Sequence, residues 1–260
     1  MRVREGLVEI DGQVVTTRSL SDSVSAIVRR LREMRSFLVC TLNLDHLVKL
    51  RRDPRFRDAY AKAEVVTPDG FPIVTFARME GVVLERTTGA DLIVPLCREA
   101  AAHGYPVFLF GSTFEALCAA GRRLAEDIPG LQIAGVYAPP ANFEIASDTA
   151  DEAIDIIRRS GARICLVALG APRQELFSAR AIDETAGIAF LGIGASLDFI
   201  AGTQVRCPPL FRKLNLEWAW RAASNPRRLL PRYAACAALF AELYARYAMR
   251  AWWRPARHRF

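Results

Sequence analysis

Polar residues that could carry chemistry follow two apolar runs in the first third of the chain. Thr41 is the last residue of the run Phe37–Thr41, and Asn43 lies two residues later. Asp69 lies in a Pro-Asp-Gly turn just after Glu64–Thr67. A carboxylate held on a tight turn can act as a general base toward a hydroxyl group without a metal. Ordinary local structure also fits, with Asn43 as a helix cap and Asp69 as a turn residue, so each residue alone leaves both interpretations open.

Two further segments suit the binding of phosphate or nucleotide. Arg86 precedes a helix that should begin near Gly89, and an arginine beside a helix N-terminus can hold phosphate, although a solvated arginine fits as well. Gly111 lies in a Phe-Gly-Ser-Thr segment that closes a later strand. Small residues before a helix favour a nucleotide contact there, but most strand-to-helix turns look similar.

The second half of the chain carries a more specific segment, Gly170 to Glu175, with the sequence Gly-Ala-Pro-Arg-Gln-Glu. The glycine allows close backbone approach, the proline suits a first helical turn, and Gln174 offers both a donor and an acceptor. A glycine-rich segment that contains Gly194 and Asp198 is similar to a phosphate loop. It lies late in the chain and lacks a full Gly-x-Gly-x-x-Gly motif after the first strand, which disfavours a dehydrogenase.

Histidine and cysteine spacing does not indicate a metal site. The three histidines lie far apart, and the six cysteines occur singly in apolar stretches with no Cys-x-x-Cys pair. We therefore expect no metal and no cofactor. The cysteines are expected to be reduced thiols of a cytoplasmic protein.

Apolar runs that alternate with amphipathic segments must position these residues. Val8–Val15 should form a hairpin around Asp11-Gly12, followed by a helix from Ser21. Strands are predicted at Phe37–Thr41, Glu64–Thr67, Pro106–Phe110, Leu131–Tyr137, Arg163–Leu169 and Ile188–Ile193, with helices at about 44–62, 70–79, 89–103, 113–127, 147–160 and 172–181. This alternation predicts an α/β fold with a doubly wound, largely parallel sheet, which binds ligands beyond the carboxyl ends of its strands.

Charge divides the chain into two parts. From Arg206 onward there are 12 lysines and arginines against two acidic residues, whereas residues 1–205 carry 23 basic and 26 acidic residues. We therefore expect a catalytic α/β domain over 1–205 and a basic helical appendage over 206–260 that meets an anionic partner. Phospholipid headgroups and a substrate pyrophosphate are candidates. Nucleic acid is disfavoured because no recognised binding module is present.

The appendage contains features of an interfacial helix. Asn225-Pro226 predicts a helix start, Pro231 should kink the helix, and Trp252-Trp253 lie beside arginines, as in helices that lie at a membrane surface. A helix packed on the parent domain is the alternative. No apolar run approaches the roughly 18 to 20 residues needed to span a bilayer, and the N-terminus does not resemble a signal peptide. We expect a peripheral protein on the cytoplasmic side of the membrane.

The ordered set of these motifs, followed by Leu216-Glu217-Trp218, resembles the WecG/TagA/CpsF glycosyltransferase family over nearly the whole chain. The resemblance implies inverting transfer from a UDP-sugar to a polyprenyl-pyrophosphate-linked saccharide, as in the synthesis of cell-surface polysaccharides. The sugar could be N-acetylmannosamine, its uronic acid or glucose. A protein that binds such ligands without turnover is the alternative.

The resemblance also implies roles for individual residues. Asp69 would be the general base. Thr41 and Arg86 would belong to the same catalytic group, with Thr41 in contact with donor or acceptor and Arg86 with the pyrophosphate, and Asp198 would contact the nucleoside. Contacts with substrate, including the pyrophosphate, are implied for Asn43, Gly111, Gly170, Gln174, Gly194, Arg221 and Arg228. The chain departs from the family pattern at Arg173, Phe177, Leu197 and Asn225. The last replaces an acidic residue, which puts any ion pair made by that acid in doubt.

Overall fold

The computed structural model describes residues 7–204 and 226–253. Its first element is an antiparallel hairpin of β1 (Val8–Ile10) and β2 (Gln13–Val15). Asp11 and Gly12 form the turn with φ angles of 50° and 83°. Both central residues of a type I′ turn need positive φ, so the predicted hairpin is confirmed at the residues that favour it.

Six parallel strands form the central sheet in the order β4-β3-β8-β7-β5-β6. The strands are β3 (Phe37–Leu42), β4 (Ala63–Pro68), β5 (Val107–Gly111), β6 (Ile133–Tyr137), β7 (Ile164–Ala168) and β8 (Ala189–Gly192). β3, β5 and β8 are buried along their whole length. The continuous apolar runs thus reflect strands covered on both faces, as the sequence predicted.

Helices cover both faces of this sheet. They are α1 (Leu20–Leu31), α2 (Leu44–Arg52), α3 (Pro54–Ala61), α4 (Phe71–Met79), α5 (Gly89–His103), α6 (Phe114–Asp127), α7 (Asp148–Arg159), α8 (Arg173–Glu184), α9 (Ser196–Ala201) and α10 (Pro226–Trp253). One face carries α1, α5, α6 and α9, and the other carries α2, α3, α4, α7, α8 and α10. The doubly wound α/β fold is confirmed.

The helix expected over about 44–62 is two helices. Asp53 has extended backbone angles and accepts a hydrogen bond from the Arg55 amide, so it caps α3, and Pro54 occupies the first turn. A residue before proline is disfavoured in the helical region, which explains the break. The short helix α9 was not predicted.

The helix α10 packs on the body of the protein through one face. Leu239, Leu243 and Tyr247 are buried against α2 and α4, and the Tyr247 ring stacks on that of Phe76 at 5.3 Å. The helix begins at Pro226, as predicted, and continues through Pro231. This face of α10 therefore packs on the parent domain, which was the alternative to a helix that lies at a membrane surface. Within the described ranges, no helix is long and apolar enough to cross a membrane.

Candidate active site

The carboxyl ends of β4, β3, β8, β7 and β5 lie in that order along one edge of the sheet. The residues singled out in the sequence follow these strands, so the fold brings most of them to this edge. Parallel α/β sheets bind ligands there. The edge is therefore the candidate active site.

Asp69 and Asn43 are neighbours at the ends of β4 and β3. Asn43 donates a hydrogen bond from Nδ2 to Oδ2 of Asp69 at 3.2 Å, and its Oδ1 accepts from the His46 amide at 2.9 Å. Asn43 is thus the predicted helix cap and a partner of Asp69 at the same time. Gly70, not Asp69, is the N-cap of α4. The half-buried Asp69 carboxylate is held by Asn43 at this edge of the sheet and does not cap α4.

Thr41 and Arg86 flank this pair differently. Thr41 is buried in β3 opposite Thr67 of β4. Arg86 is exposed and makes no ion pair with a residue in the described ranges. The segment that carries Arg86 is fixed to the end of β4, because the Thr87 amide donates to the Pro68 carbonyl at 2.8 Å. This backbone contact places the segment of Arg86 beside the turn that carries Asp69.

Gln174 lies below the loop that follows β8. It is only 3% exposed, and its Oε1 accepts from the Gly194 amide at 3.0 Å. A Cβ atom on Gly192 would lie 2.7 Å from Nε2 of Gln174, so a side chain at this position would force Gln174 to move. The contact of Gln174 with substrate stays a prediction, since the amide supports the loop from within. Gly170 and Gly194 have positive φ and open space where a side chain would stand.

The first turn of α5 meets the same loop. A Cβ atom on Gly89 would lie 2.9 Å from the Ile193 Cα, so the helix start packs directly on this backbone. Thr88 caps the helix and forms a capping box with Asp91. The positive end of the α5 dipole is therefore held beside the end of β8.

Asp198 and Gly111 meet at the far end of the edge. The Ser112 hydroxyl donates to Oδ1 of Asp198, which links α9 to the end of β5. A Cβ atom on Gly111 would lie 2.6 Å from the Ala168 backbone, which accounts for glycine by close approach of β5 to β7. Ser112 was not singled out in the sequence; its φ of 51° is a signal visible only in the structure.

The two arginines predicted in the appendage are placed only in part. Arg221 lies outside the described residues, and Arg228 belongs to α10, but its side chain is not among those described. One turn further along, Arg232 donates to Oδ1 of Asp45 at 2.7 Å. Burial alone would raise the pKa of Asp45, but a hydrogen bond from Lys49 and the charges of Arg232 and Lys49 together lower it. This ion pair anchors the start of α10 two residues from Asn43.

A buried acid lies beneath the edge. Glu175 of α8 is fully buried, and its Oε1 accepts from Nε2 of Gln174 at 2.7 Å and lies 3.8 Å from Nε2 of His46. Burial raises the pKa of Glu175 to about 7 and lowers that of His46 to about 3. Both groups are therefore held in their neutral forms in weakly acidic solution. Neither was singled out as a candidate in the sequence.

The raised pKa of Glu175 should be measurable as a pH dependence of stability. Between the ordinary pKa of 4.5 and about 7, the unfolded chain has lost a proton that the folded chain keeps, so stability falls as the pH rises. The loss should approach about 3 kcal/mol, since one pKa unit corresponds to 1.36 kcal/mol. Chemical denaturation of the wild type and Glu175→Gln at several pH values measures it.

The comparison of wild type with Glu175→Gln isolates this group. His46 acts in the opposite direction, because its lowered pKa makes stability rise with pH below its ordinary pKa of 6.5, and it is present in both proteins. The difference in unfolding free energy should therefore shift in favour of Glu175→Gln between pH 4.5 and 7. A difference that is constant across this range would contradict a raised pKa.

The described part of the chain contains no cluster of side chains that could hold a metal ion. No group of three or more histidine, cysteine, aspartate or glutamate side chains with suitable placement occurs among those residues. The five cysteines in the described ranges are free, and four of them are buried. Cys207 lies outside the described residues. Activity without a metal remains a prediction.

The fold is that of a doubly wound α/β protein, and its candidate site lies at the carboxyl edge of the sheet. Residues 8–254 match the model of the glycosyl transferase WecG/TagA/CpsF family. The chain belongs to this family of glycosyltransferases. It is also 29% identical over 199 residues, 76% of this chain and 75% of the relative, to an N-acetylglucosaminyldiphosphoundecaprenol N-acetyl-beta-D-mannosaminyltransferase of Bacillus spizizenii.

Proposed function

We propose that this protein transfers a sugar, N-acetylmannosamine in the first instance, from a UDP-sugar to a saccharide linked through diphosphate to a polyprenyl lipid. The acceptor class and the sugar follow the name of the Bacillus spizizenii relative. The observation that carries the proposal is the Asn43–Asp69 pair, joined at 3.2 Å at the carboxyl edge of the sheet. It offers an oriented carboxylate where a bound acceptor hydroxyl would lie.

The reaction is a single displacement in this proposal. The Asp69 carboxylate takes the proton of the acceptor hydroxyl, the hydroxyl oxygen forms a bond to the anomeric carbon, and the bond from that carbon to the UDP oxygen breaks. Asn43 fixes the direction of the carboxylate. One attack from the side opposite the leaving group inverts the anomeric centre.

The departing diphosphate needs positive potential. The segment of Arg86 is held beside the turn that carries Asp69 by the hydrogen bond from the Thr87 amide to the Pro68 carbonyl, and the α5 dipole adds positive potential nearby. Arg221 and Arg228 are assigned to the same pyrophosphate. The anchoring of Arg232 on Asp45 supports the assignment of Arg228, because it brings the first turns of α10 to this edge.

Residues at the carboxyl ends of β8, β7 and β5 are assigned to recognition of the donor. Gly170 and Gly194 allow a ligand to approach the backbone closely, because the positions where their side chains would stand are open. Asp198 is assigned to the nucleoside, and its hydrogen bond with Ser112 supports this by fixing the carboxylate near the end of β5. Gly111 and Gln174 shape the surrounding backbone in this assignment, and Thr41 lines the site from β3.

A transfer assay tests the proposed function and its independence of metal. Purified protein is incubated with a synthetic polyprenyl-diphosphate-linked N-acetylglucosamine and, in separate reactions, the UDP derivatives of N-acetylmannosamine, its uronic acid and glucose. We expect a lipid-linked disaccharide by mass spectrometry with one of these donors, at an unchanged rate in excess EDTA. Activity lost in EDTA and restored by Mg²⁺ would contradict the metal-independent mechanism. UDP binding without product from any donor would favour the non-catalytic alternative.

We also propose that the basic end of the chain holds the enzyme to anionic lipid on the cytoplasmic face of the membrane. Several side chains on the outward face of α10 are apolar, including Leu230, Tyr244 and Met249, which are 57%, 49% and 60% exposed. Arginines 254, 257 and 259 follow the helix in sequence. Each basic residue near an anionic surface contributes about 1 kcal/mol to binding.

A chain that ends at Trp253 should therefore bind anionic vesicles roughly 100-fold more weakly than the full chain at low salt, because it lacks three arginines. The matched control carries Arg254→Lys, Arg257→Lys and Arg259→Lys, which keep the charge and should keep the affinity. Cosedimentation with phosphatidylglycerol vesicles over a salt series measures both. Equal binding by the shortened and full-length chains would exclude these arginines from membrane attachment.

A further inference from the structure

The buried pair Gln174–Glu175 at the start of α8 is not used in the transfer step. Both side chains are buried, and they lie under the loop Gly192–Gly194, which forms part of the candidate site. A glutamate in the first turn of a helix usually faces solvent, where it interacts favourably with the helix dipole. Burial of an acid is costly unless it is paired and hydrogen-bonded, and Oε2 of Glu175 has no hydrogen-bond partner among the described residues.

The contacts of the Gln174 amide define its orientation. Its Oε1 accepts from the Gly194 amide at 3.0 Å, and its Nε2 donates to Oε1 of Glu175 at 2.7 Å. A flipped amide would place Nε2 against the Gly194 donor and Oε1 against the Glu175 acceptor. Glu175 therefore selects the orientation in which Gln174 can hold the loop.

Glu175 also lies close to the part of the sheet that carries Asn43 and Asp69. His46 of α2 lies 3.8 Å from its Oε1, and the amide of the same histidine donates to the Asn43 side chain. The His46 ring Nδ1 and the Tyr60 hydroxyl are hydrogen-bonded at 3.2 Å, which fixes the ring. The acid thus lies between the helix that Asn43 caps and the loop that Gln174 supports.

We propose that Glu175 is a positioning residue, which acts through Gln174 to fix the backbone of Gly192–Gly194 for binding of the UDP diphosphate. Because the N-terminus of α5 packs on Ile193, movement of this loop would also displace the positive end of that helix. The choice of UDP as the ligand rests on the proposed function. The role of Glu175 in the hydrogen bond between Gln174 and Gly194 is independent of that function.

The test compares three variants by two measurements. Glu175→Ala removes the acceptor for Gln174, Glu175→Gln keeps an oxygen acceptor at the same place, and Ser178→Ala removes another buried polar group one turn later on α8. Ser178 Oγ has no hydrogen-bond partner in the described part of the chain. Ser178→Ala therefore controls for the removal of a buried polar group when no hydrogen bond is lost. Hydrogen exchange of the Gly194 amide, followed by NMR, and UDP affinity are measured for each.

We expect Glu175→Ala to speed Gly194 exchange at least about 10-fold and to weaken UDP binding by a similar factor, the scale on which small misplacements act. Glu175→Gln and Ser178→Ala should stay within about 2-fold of wild type in both measurements. Exchange at Cys97, in the core between α5 and the sheet, serves as a control for general loosening.

The proposal is overturned if Glu175→Ala leaves Gly194 exchange unchanged, or if Gly194 and Cys97 exchange speed up equally, which would mean a stability effect alone. If Gly194 exchange responds as expected but the wild type does not bind UDP, the proposed function fails and the positioning role toward the loop stands. Faster exchange with normal UDP affinity would refute the link to the diphosphate.

Discussion

Replacement of Asp69 by asparagine is expected to lower turnover by about 100-fold or more, the usual scale for loss of a general base. The affinity for UDP should change little, because none of the contacts proposed for the diphosphate is made by Asp69. Asparagine keeps the size of the side chain and can still meet Asn43 through its oxygen. Steady-state kinetics and titration with UDP measure the two effects separately.

Asp183→Asn is the matched control for this substitution. Asp183 is an exposed aspartate of α8 whose ion pair is with Lys62. Its loss should leave turnover within about 2-fold, because exposed ion pairs contribute little. Near-normal turnover of Asp69→Asn would reduce Asp69 to a turn residue, the alternative that the Pro-Asp-Gly sequence left open.

Loss of the contact between α10 and the body is expected to have the second largest effect. Leu243 is fully buried and packs in the cluster that contains Phe76. Leu243→Ala should lower the free energy of unfolding by about 2 to 5 kcal/mol, the range for a buried leucine. The same substitution at Leu230, which is 57% exposed on the same helix, should change it by less than about 1 kcal/mol. Denaturant unfolding without lipid measures both.

Deletion of residues 206–260 should lower stability for the same reason, and by more. It would expose the surface now covered by Leu239, Leu243 and Tyr247, and each buried side chain of this kind contributes roughly 1.5 to 3 kcal/mol. The sum is comparable to the whole stability of an ordinary domain. The sequence predicted a separate catalytic domain over residues 1–205, but the packing of α10 leads us to expect that this domain is only marginally stable without the appendage. A deletion variant with wild-type stability, or equal effects of Leu243→Ala and Leu230→Ala, would contradict this packing.

The sheet could be predicted from the sequence because its strands are continuous apolar runs between turn residues. Boundaries shifted by one or two residues, as at Val107–Gly111, where local patterns do not define the last hydrogen bond. The division of residues 44–62 at Pro54 was readable from the rule that residues before proline avoid the helical region. The helix α9 has only six residues, too few for a periodic pattern.

The placement of the candidate residues could be predicted where they directly follow strands. It could not be predicted where it depends on which side chains are buried. Asn43 and Asp69 could be placed at one edge because parallel strands end together. Glu175 could not be recognised, because a glutamate in the first helical turn normally indicates an exposed residue. The spacing of Leu239, Leu243 and Tyr247 at intervals of four was a signal for a packed face of α10, but the arginines and tryptophans nearby favoured the membrane.

The configuration of the new glycosidic bond tests the single displacement by Asp69 most directly. The protein is supplied with the UDP-α-sugar that it uses and with the lipid-linked acceptor, and the disaccharide is released and its anomeric centre assigned by NMR. We expect a β-linked product, because one attack opposite the departing UDP inverts the centre, and the name of the Bacillus spizizenii relative also specifies a beta-mannosaminyl transfer. An α-linked product would require retention, and would contradict Asp69 as the base of a single displacement.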